Sequence, residues 1–307
     1  MNVFEFLGFS PTHRKSEKTV QKVKNIEEVP ESKIKFPLYG QVKKDGVYCM
    51  LVSDGLNTAI FGRTGKQLSN CKHLGQRYDL EEGVFIGELC LPGYSLEVLS
   101  GIVNPNRTKA VEDDLLFDWF ENGEVHFHDH LTLEEFSDGY SDRPYLDRWA
   151  HCVECNLHPL AYTRIDSLAH AESYARYLIE AGEEGAVFKQ NVGWEAGHKG
   201  WRAMKRVRRV EYDLLCVGVE EGKGKYAGKA ANLIFQWHNG QTIKAMLGKS
   251  YTHEDAKVMW ESREHRYNLL NPIGHIFTVY GLQESSKGKI RLPKVGEARH
   301  DKETPDV

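Results

Sequence analysis

The sequence predicts an α+β chain of two domains, the second of them a small β-barrel. Three observations carry this expectation. Up to about residue 210, short strand-like runs bounded by glycine turns are interrupted by one clear amphipathic helix. Beyond it the texture changes to strands with glycine-rich turns and a single short helix, five or so strands in under 100 residues. Hydrophobic residues make up 40% and charged residues 27% of 307, so the chain can bury a substantial core and shows no sign of disorder.

Residues 10–35 are polar and mixed in charge, and residues 1–35 are read as a lead into a first domain at 36–210, with order beginning near Pro37. Val47–Ser53 and 56–61 flank Asp54-Gly55, a hairpin signal with suitable turn residues. Further strands are expected at 83–89 and Glu124–Leu131. A helix capped by Asp166 or Ser167 carries Leu168, Ala171, Tyr174, Ala175 and Leu178 on one face, stops at Gly182, and leads into a strand over 183–189. In the second domain, 211–307, strands are expected at 213–219, 231–238, Thr242–Leu247 and 275–282, with a helix from about His253. That pattern fits a Greek-key barrel of the oligonucleotide-binding type (OB-fold), with a domain boundary near 208–212.

Lys and Arg (40) nearly balance Asp and Glu (44), so the net charge of −4 conceals any local asymmetry. No run of 18 apolar residues exists and the amino terminus lacks a basic segment followed by an apolar core, so a cytosolic protein with no membrane partner is expected. Nothing suggests an oligomer, so a monomer is expected. The six cysteines, at 49, 71, 90, 152, 155 and 216, are too dispersed for a disulfide framework and are read as reduced thiols. His151-Cys152-Val153-Glu154-Cys155-Asn156-Leu157-His158 has zinc-like residue types. A tetrahedral site drawn from eight consecutive residues is sterically awkward, and with no second Cys pair these are read as ordinary thiols.

Five short motifs follow one another in order: Lys43-Lys44-Asp45-Gly46, Gly87-Glu88, Glu184-Gly185, the basic run Lys199-Gly200-Trp201-Arg202-Ala203-Met204-Lys205-Arg206-Val207-Arg208-Arg209, and Arg299-His300-Asp301-Lys302. The first resembles the Lys-x-Asp-Gly nucleophile motif of the covalent nucleotidyltransferases. The set, together with Gly224-Lys225-Tyr226-Ala227-Gly228, Pro272-Ile273-Gly274 and Tyr280-Gly281-Leu282-Gln283-Glu284, resembles the small two-domain ATP-dependent DNA ligases of bacteriophage and bacterial type over about residues 36–302.

The resemblance implies a nucleotidyltransferase (adenylation) domain with antiparallel sheets, and Lys43 as the residue that takes AMP from ATP. Lysine is unreactive when protonated, so neighbouring positive charge from Lys44 and a bound Mg²⁺, or Mn²⁺ in its place, would favour the free amine. Glu88 and Glu184 would serve as metal ligands, since carboxylates beside a polyphosphate make sense as partners of a hard cation. Gln41, Val42, Arg63, Glu88, Phe127 or His128, Lys189, Arg202, Lys205, Arg299 and Lys302 would line the nucleotide site, with Asp301 beside the last two. Six cations without an acid, Lys199, Arg202, Lys205, Arg206, Arg208 and Arg209, together with Lys223, Lys225 and Lys229, form a plausible phosphate-tracking surface for duplex nucleic acid. Barrel closure about a hinge near 208–212 would complete the adenylation site and then grip DNA.

Three positions depart from the family pattern. Tyr48 and Ala203 stand where arginine and lysine are usual, with Arg202 as a substitute one place off. The place of the adenine-stacking aromatic falls to His128, with Phe127 as the register-dependent alternative. The expected activity is sealing of 5′-phosphate and 3′-hydroxyl ends in nicked double-stranded DNA. The rivals are an RNA ligase or capping-type nucleotidyltransferase using the same lysine, and a nick-binding protein impaired in catalysis.

Overall fold

The computed structural model describes residues 1–11, 18–265, 268, 270–285 and 288–307. The chain divides into two compact units, Met1–Val207 and Arg208–Val307. In the first unit the strands are β1 Lys22–Asn25, β2 Leu38–Lys43, β3 Val47–Ser53, β4 Thr58–Gly62, β5 Gly83–Cys90, β6 Glu124–Leu131, β7 Tyr140–Ser141, β8 Thr163–Ile165, β9 Gly185–Gln190, β10 Trp194–Glu195 and β11 Lys199–Val207. Its helices are α1 Val3–Leu7, α2 Lys72–Arg77, α3 Leu96–Val103, α4 Asp113–Asn122, α5 Leu133–Asp138, α6 Tyr145–Glu154 and α7 Leu168–Glu180.

Two sheets organise this unit, one ordered β4-β3-β5-β6 and one ordered β1-β11-β9-β2-β8, with β10 and β7 as a separate pair. The last five residues of β3 are all buried, because both faces of its sheet are covered. Cys49 and Leu51 point into a core with Leu74, Leu99, Ile102 and Trp119 from α2, α3 and α4. Met50 and Val52 point the other way, onto Val3, Phe136 and Trp194. The hairpin turn forms as its residues require: Asp54 Oδ1 accepts from the backbone of Leu56 and Asn57 at 2.9 and 2.7 Å, and Gly55 supplies φ +87°. Helix α7, capped by Ser167, lays Ala171 and Ala175 on Phe188 and Ile165 of the second sheet.

The second unit contains β12 Val210–Glu221, β13 Ala230–Gln236, β14 Thr242–Leu247, β15 Ile276–Gly281, β16 Lys294–Ala298 and helix α8 His253–Ser262. The strands close a barrel in the order β12-β13-β14-β16-β15 around Leu214, Leu233, Phe235, Ala245, Val279 and Val295. This is the predicted barrel, with one addition. The short β16 pairs parallel to β14 and antiparallel to β15, and that pairing closes it.

The amino terminus differs from expectation. Order begins at α1, held by an Asn2–Glu5 capping box, and β1 extends the second sheet by pairing parallel to β11. Val3 is fully buried, so this segment belongs to the domain and is no mere lead; residues 12–17 of it lie outside the described residues. Among the described residues no helix is long and apolar enough to cross a membrane.

Candidate active site

Lys43 ends β2, and its register partner across the ladder is Gly185, which opens β9. That pairing brings Glu184 beside the lysine: Nζ of Lys43 lies 2.6 Å from Glu184 Oε2, with the two side chains 20% and 9% exposed. Lys44 pairs in the same way with Glu183 at 2.7 Å. Glycine at 46 has a physical reason, since a Cβ there would lie 2.3 Å from the Leu89 carbonyl oxygen and 2.7 Å from Glu88 Cγ. The β2–β3 turn is therefore pressed against β5, which sets Lys43 near Glu88.

Glu88 lies opposite Tyr48 in the β3–β5 ladder. Burial, with lesser repulsion from Glu184 and Asp45, pushes the Glu88 carboxyl up to about 7 despite the pull of Lys43 and Arg63. Lys205 enters from β11. Its neighbour Met204 is buried in the core under α7, so strand alternation turns Lys205 to the opposite face, the Lys43 face. Desolvation and then the charge of Lys43 hold Lys205 below its ordinary value. Glu88 and Glu184, the two carboxylates expected to hold a hard divalent ion, thus lie near one another around Lys43, Glu184 through its ion pair and Glu88 through the charge that Lys43 exerts on it.

A second group joins the two sheets. Lys189 of β9 is buried, donates to the His128 carbonyl at 2.9 Å, lies 3.7 Å from Asp129 Oδ2, and sits 4.4 Å from the centre of the Tyr145 ring. Asp129 also accepts from Arg148 of α6, at 2.7 and 3.3 Å. Against the cost of burial, Arg148 and Lys189 hold the Asp129 carboxyl down to about 2. Burial, only partly countered by Asp129, lowers Lys189 to about 8. The sequence reading took Asp129 only as the landmark for His128 and gave no role to Arg148 or Tyr145. The signal available was the Tyr145, Arg148, Cys152 spacing, which buries an arginine on the inner face of α6.

A β-bulge separates the environments of residues 127 and 128. Ile86 pairs with Asp129 and Gly87 with Phe127, leaving His128 as the extra residue. Phe127 is fully buried in the core beneath the sheet, edge-on to Tyr78 at 5.2 Å, so it is a core residue and not the expected lining of the nucleotide site. His128 is half-buried beside Lys189, its Nδ1 3.1 Å from Nζ, and burial followed by the Lys189 charge lowers it to about 3, leaving a neutral ring.

Other expected residues divide. Gln41 is buried on the Lys43 face and donates to the Leu160 carbonyl at 2.6 Å. Val42, one residue on, belongs to the opposite face, so its backbone alone is available to the cleft. Arg63 is exposed just beyond β4 and acts on Glu88 through its charge. Arg202 does not take the place that Ala203 leaves: its guanidinium donates to the Gly193 carbonyl at 2.8 Å, reaches Glu195 at 3.4 Å and stacks on Trp201. Arg206 pairs with Glu27 and with Glu172 of α7, away from Lys43. A cavity of about 480 Å³ lies on that α7 side and is lined by Ile26, Ala171 and Phe188 among others. A smaller one of about 270 Å³ adjoins Lys44, Asp45, Tyr94 and His126.

Lys199 is exposed on β11, while Arg208 and Arg209 open the second unit, where Arg209 lies over Tyr280 at 5.3 Å. Lys223, Lys225 and Lys229 share the β12–β13 connection, Lys225 lying 5.0 Å from the Tyr226 ring centre. Arg299 and Lys302 converge within the barrel on Asp213, a residue the sequence reading missed, at 2.6 and 2.7 Å. Asp301 accepts from Arg299 at 2.9 and 2.7 Å, and Lys302 also meets Asp306 at 2.8 Å.

Residues 221–299 match the family described as DNA ligase OB-like domain. A probable DNA ligase of Streptomyces griseus is 29% identical over 187 residues, 52% of this chain and 36% of that protein. A probable DNA ligase of Mycobacterium sp. (strain KMS) is 33% identical over 135 residues, 39% of this chain and 24% of that protein. The chain thus spans about a third or less of the curated relatives it matches. Among solved structures, a Lig E DNA ligase superposes with TM-score 0.69 at 14% identity, covering 91% of this chain and 98% of that one. The ATP-dependent DNA ligase of bacteriophage T7, in complex with ATP, gives TM-score 0.54 at 16% identity, covering 92% and 99%. The fold is that of the ATP-dependent DNA ligases, as the resemblance of the five motifs implied.

Proposed function

We propose that this protein is an ATP-dependent DNA ligase that seals nicks in duplex DNA, with Lys43 as its nucleophile. The observation that carries the reading is the position of Lys43: a lysine at a strand end, 2.6 Å from Glu184 and within the electrostatic reach of Glu88 and Lys205. The DNA ligases matched in sequence and in fold support the choice of substrate.

In the first step the Lys43 amine attacks the α-phosphorus of ATP, forming an N–P bond as the P–O bond to pyrophosphate breaks. For this Nζ must leave its Glu184 ion pair and lose a proton. Lys205, on the same sheet face, would meet the α-phosphate. Bound Mg²⁺, held by Glu88 and Glu184, would neutralise the polyphosphate. His128, neutral and half-buried, offers a face to the base, and the Arg148–Asp129–Lys189 group fixes the strand that carries it. An oxygen of the DNA 5′-phosphate then displaces Lys43 from the AMP phosphorus. Finally the 3′-hydroxyl attacks the 5′-phosphorus and AMP leaves. Lys223, Lys225 and Lys229 would track the duplex backbone.

Incubation with α-labelled ATP and Mg²⁺ tests the reading. Label should survive denaturation on the wild type and vanish in Lys43→Ala, and nicked DNA should be sealed in preference to nicked RNA. Absence of label on enzyme first cleared of AMP with pyrophosphate would favour a nick-binding protein, a reading to which Tyr48 and Ala203 lend support.

A further inference from the structure

Outside the cleft, Glu81, His130 and His151 converge from the loop before β5, from β6 and from α6, and their donor atoms lie within 4.8 Å of one another. Nε2 of His151 is 2.5 Å from Glu81 Oε1, its Nδ1 is 3.5 Å from Glu154 Oε2, and its ring stacks on that of His130 at 3.9 Å. His130 is 1% exposed, and its Nε2 has no hydrogen-bond partner. A buried ring nitrogen left unsatisfied is an exception that calls for a missing partner. Cys155, one helical turn beyond His151, holds its Sγ 3.7 Å from the same Glu81 oxygen.

We propose that Glu81, His130 and His151 form a Zn²⁺ site, with Cys155 in the fourth position, that staples α6 to the β5–β6 edge. Two imidazoles, a thiolate and a carboxylate select zinc over the hard Mg²⁺ that the cleft would use. Glu154 Oε2 stands 3.5 Å from His151 Nδ1, where it would accept a hydrogen bond from Nδ1–H and leave the Nε2 lone pair, which faces Glu81, to the ion.

A tetrahedral ion needs its nitrogen and oxygen donors roughly 3.4 Å apart, given bonds of about 2.0–2.2 Å. Glu81, 55% exposed, and His151, 25% exposed, can close the present spread by rotation. At His130 the proton would move to Nδ1, where Arg143 Nη2 stands at 3.4 Å. Arg143 gives up that contact alone and keeps its bonds of 2.6 and 2.7 Å to Glu135. Helix α6 also carries Tyr145 and Arg148, so the ion would fix the helix that positions Lys189 and Asp129 without touching the reacting atoms.

The test strips the full chain with a chelator and dialyses it against Zn²⁺ in excess Mg²⁺, beside His151→Gln and Cys155→Ser. The wild type should retain a single zinc per chain and gain thermal stability with it. His151→Gln should bind zinc roughly tenfold or more weakly. With Co²⁺ in place of zinc, the wild type should show thiolate-to-cobalt charge transfer that Cys155→Ser lacks. Zinc that fails to bind, that binds His151→Gln equally well, or that Mg²⁺ displaces would overturn the site; charge transfer persisting in Cys155→Ser would overturn the fourth ligand. Should His151→Gln fail to fold by circular dichroism, Glu81→Gln, at an exposed side chain, gives the same comparison.

Discussion

Arg148 grips Asp129 through two hydrogen bonds, Nε to Oδ1 at 2.7 Å and Nη2 to Oδ2 at 3.3 Å, with side chains only 2% and 5% exposed. Removing one partner of such a pair strands a charge in the interior. Arg148→Ala should therefore cost about 3–5 kcal/mol in urea unfolding. Arg148→Met paired with Asp129→Asn should recover part of that loss, because no carboxylate is left uncompensated. If Arg148→Ala unfolds at the wild-type urea concentration, the pair contributes no stability.

Four windows of pH dependence follow from the shifted groups. Asp129, held at about 2 in the folded state, contributes stability that is present above the unfolded value near 3.9 and is lost as pH falls through about 2. Lys189, lowered to about 8, carries fewer protons folded than unfolded, so stability should climb with pH between about 8 and 10.4. Glu88, raised to about 7, keeps its proton longer when folded, so its contribution falls as pH rises from about 4.5 to 7. His128 and His130, both lowered to about 3, act in the opposite sense between about 3 and 6.5. The Glu88 effect is therefore read as the difference between wild type and Glu88→Gln in metal-free buffer. Lys189→Met should flatten the alkaline rise; a rise that persists unchanged would assign it to another group.

Gly46→Ala should damage both fold and site. The added methyl meets the Leu89 backbone oxygen at 2.3 Å, and backbone cannot swing aside as a side chain can. A cost of about 1–3 kcal/mol is expected, with loss of Lys43 labelling because the β2–β3 turn must lift away from Glu88. At Gly55, also in a turn, a Cβ would come no closer than 4.0 Å to anything. Only its φ of +87° resists alanine, so Gly55→Ala should leave labelling intact.

What was legible in the sequence is what its neighbours along the chain determine. The Asp54-Gly55 hairpin, the α7 face and the Lys43 turn rest on contacts a few residues long or on strong periodicity. The role of Arg148 was not legible, because its partner lies 19 residues away and the Tyr145, Arg148, Cys152 spacing shows only that it faces inward. The placement of His128 turns on a bulge, which strict strand alternation cannot foresee. Arg202 looked like a substitute for Ala203, yet the Trp194–Glu195 strand that captures it forms only in the folded chain. Strand β1 was missed because Lys22–Asn25 has no alternation of its own and gains order from β11.

Asp213 is the anchor of the barrel's carboxy-terminal segment. It accepts from Arg299, Lys302 and Thr278, and its backbone exchanges hydrogen bonds with Asp306. Asp213→Ala removes an acceptor shared by two cations and should cost about 1–3 kcal/mol. Tryptic cleavage after Arg299 and Lys302 should quicken while cleavage elsewhere in the barrel lags behind. Uniform cleavage throughout would mean that the whole barrel depends on Asp213.

Phe127 and His128, adjacent in sequence, should separate stability from nucleotide use. Phe127 is wholly buried against Tyr78 and the core of the first unit, so Phe127→Ala should lose about 3–5 kcal/mol in urea unfolding. His128 stands at the bulge, half-buried in the cleft beside Lys189. His128→Ala should fold with little loss, yet require a higher ATP concentration for half-maximal labelling of Lys43. His128→Phe, which keeps a ring of similar breadth and drops the charge option, should restore most of the ATP affinity. An ATP requirement that rises in Phe127→Ala but not in His128→Ala, measured where both proteins are folded, would mean that the adenine stacks elsewhere.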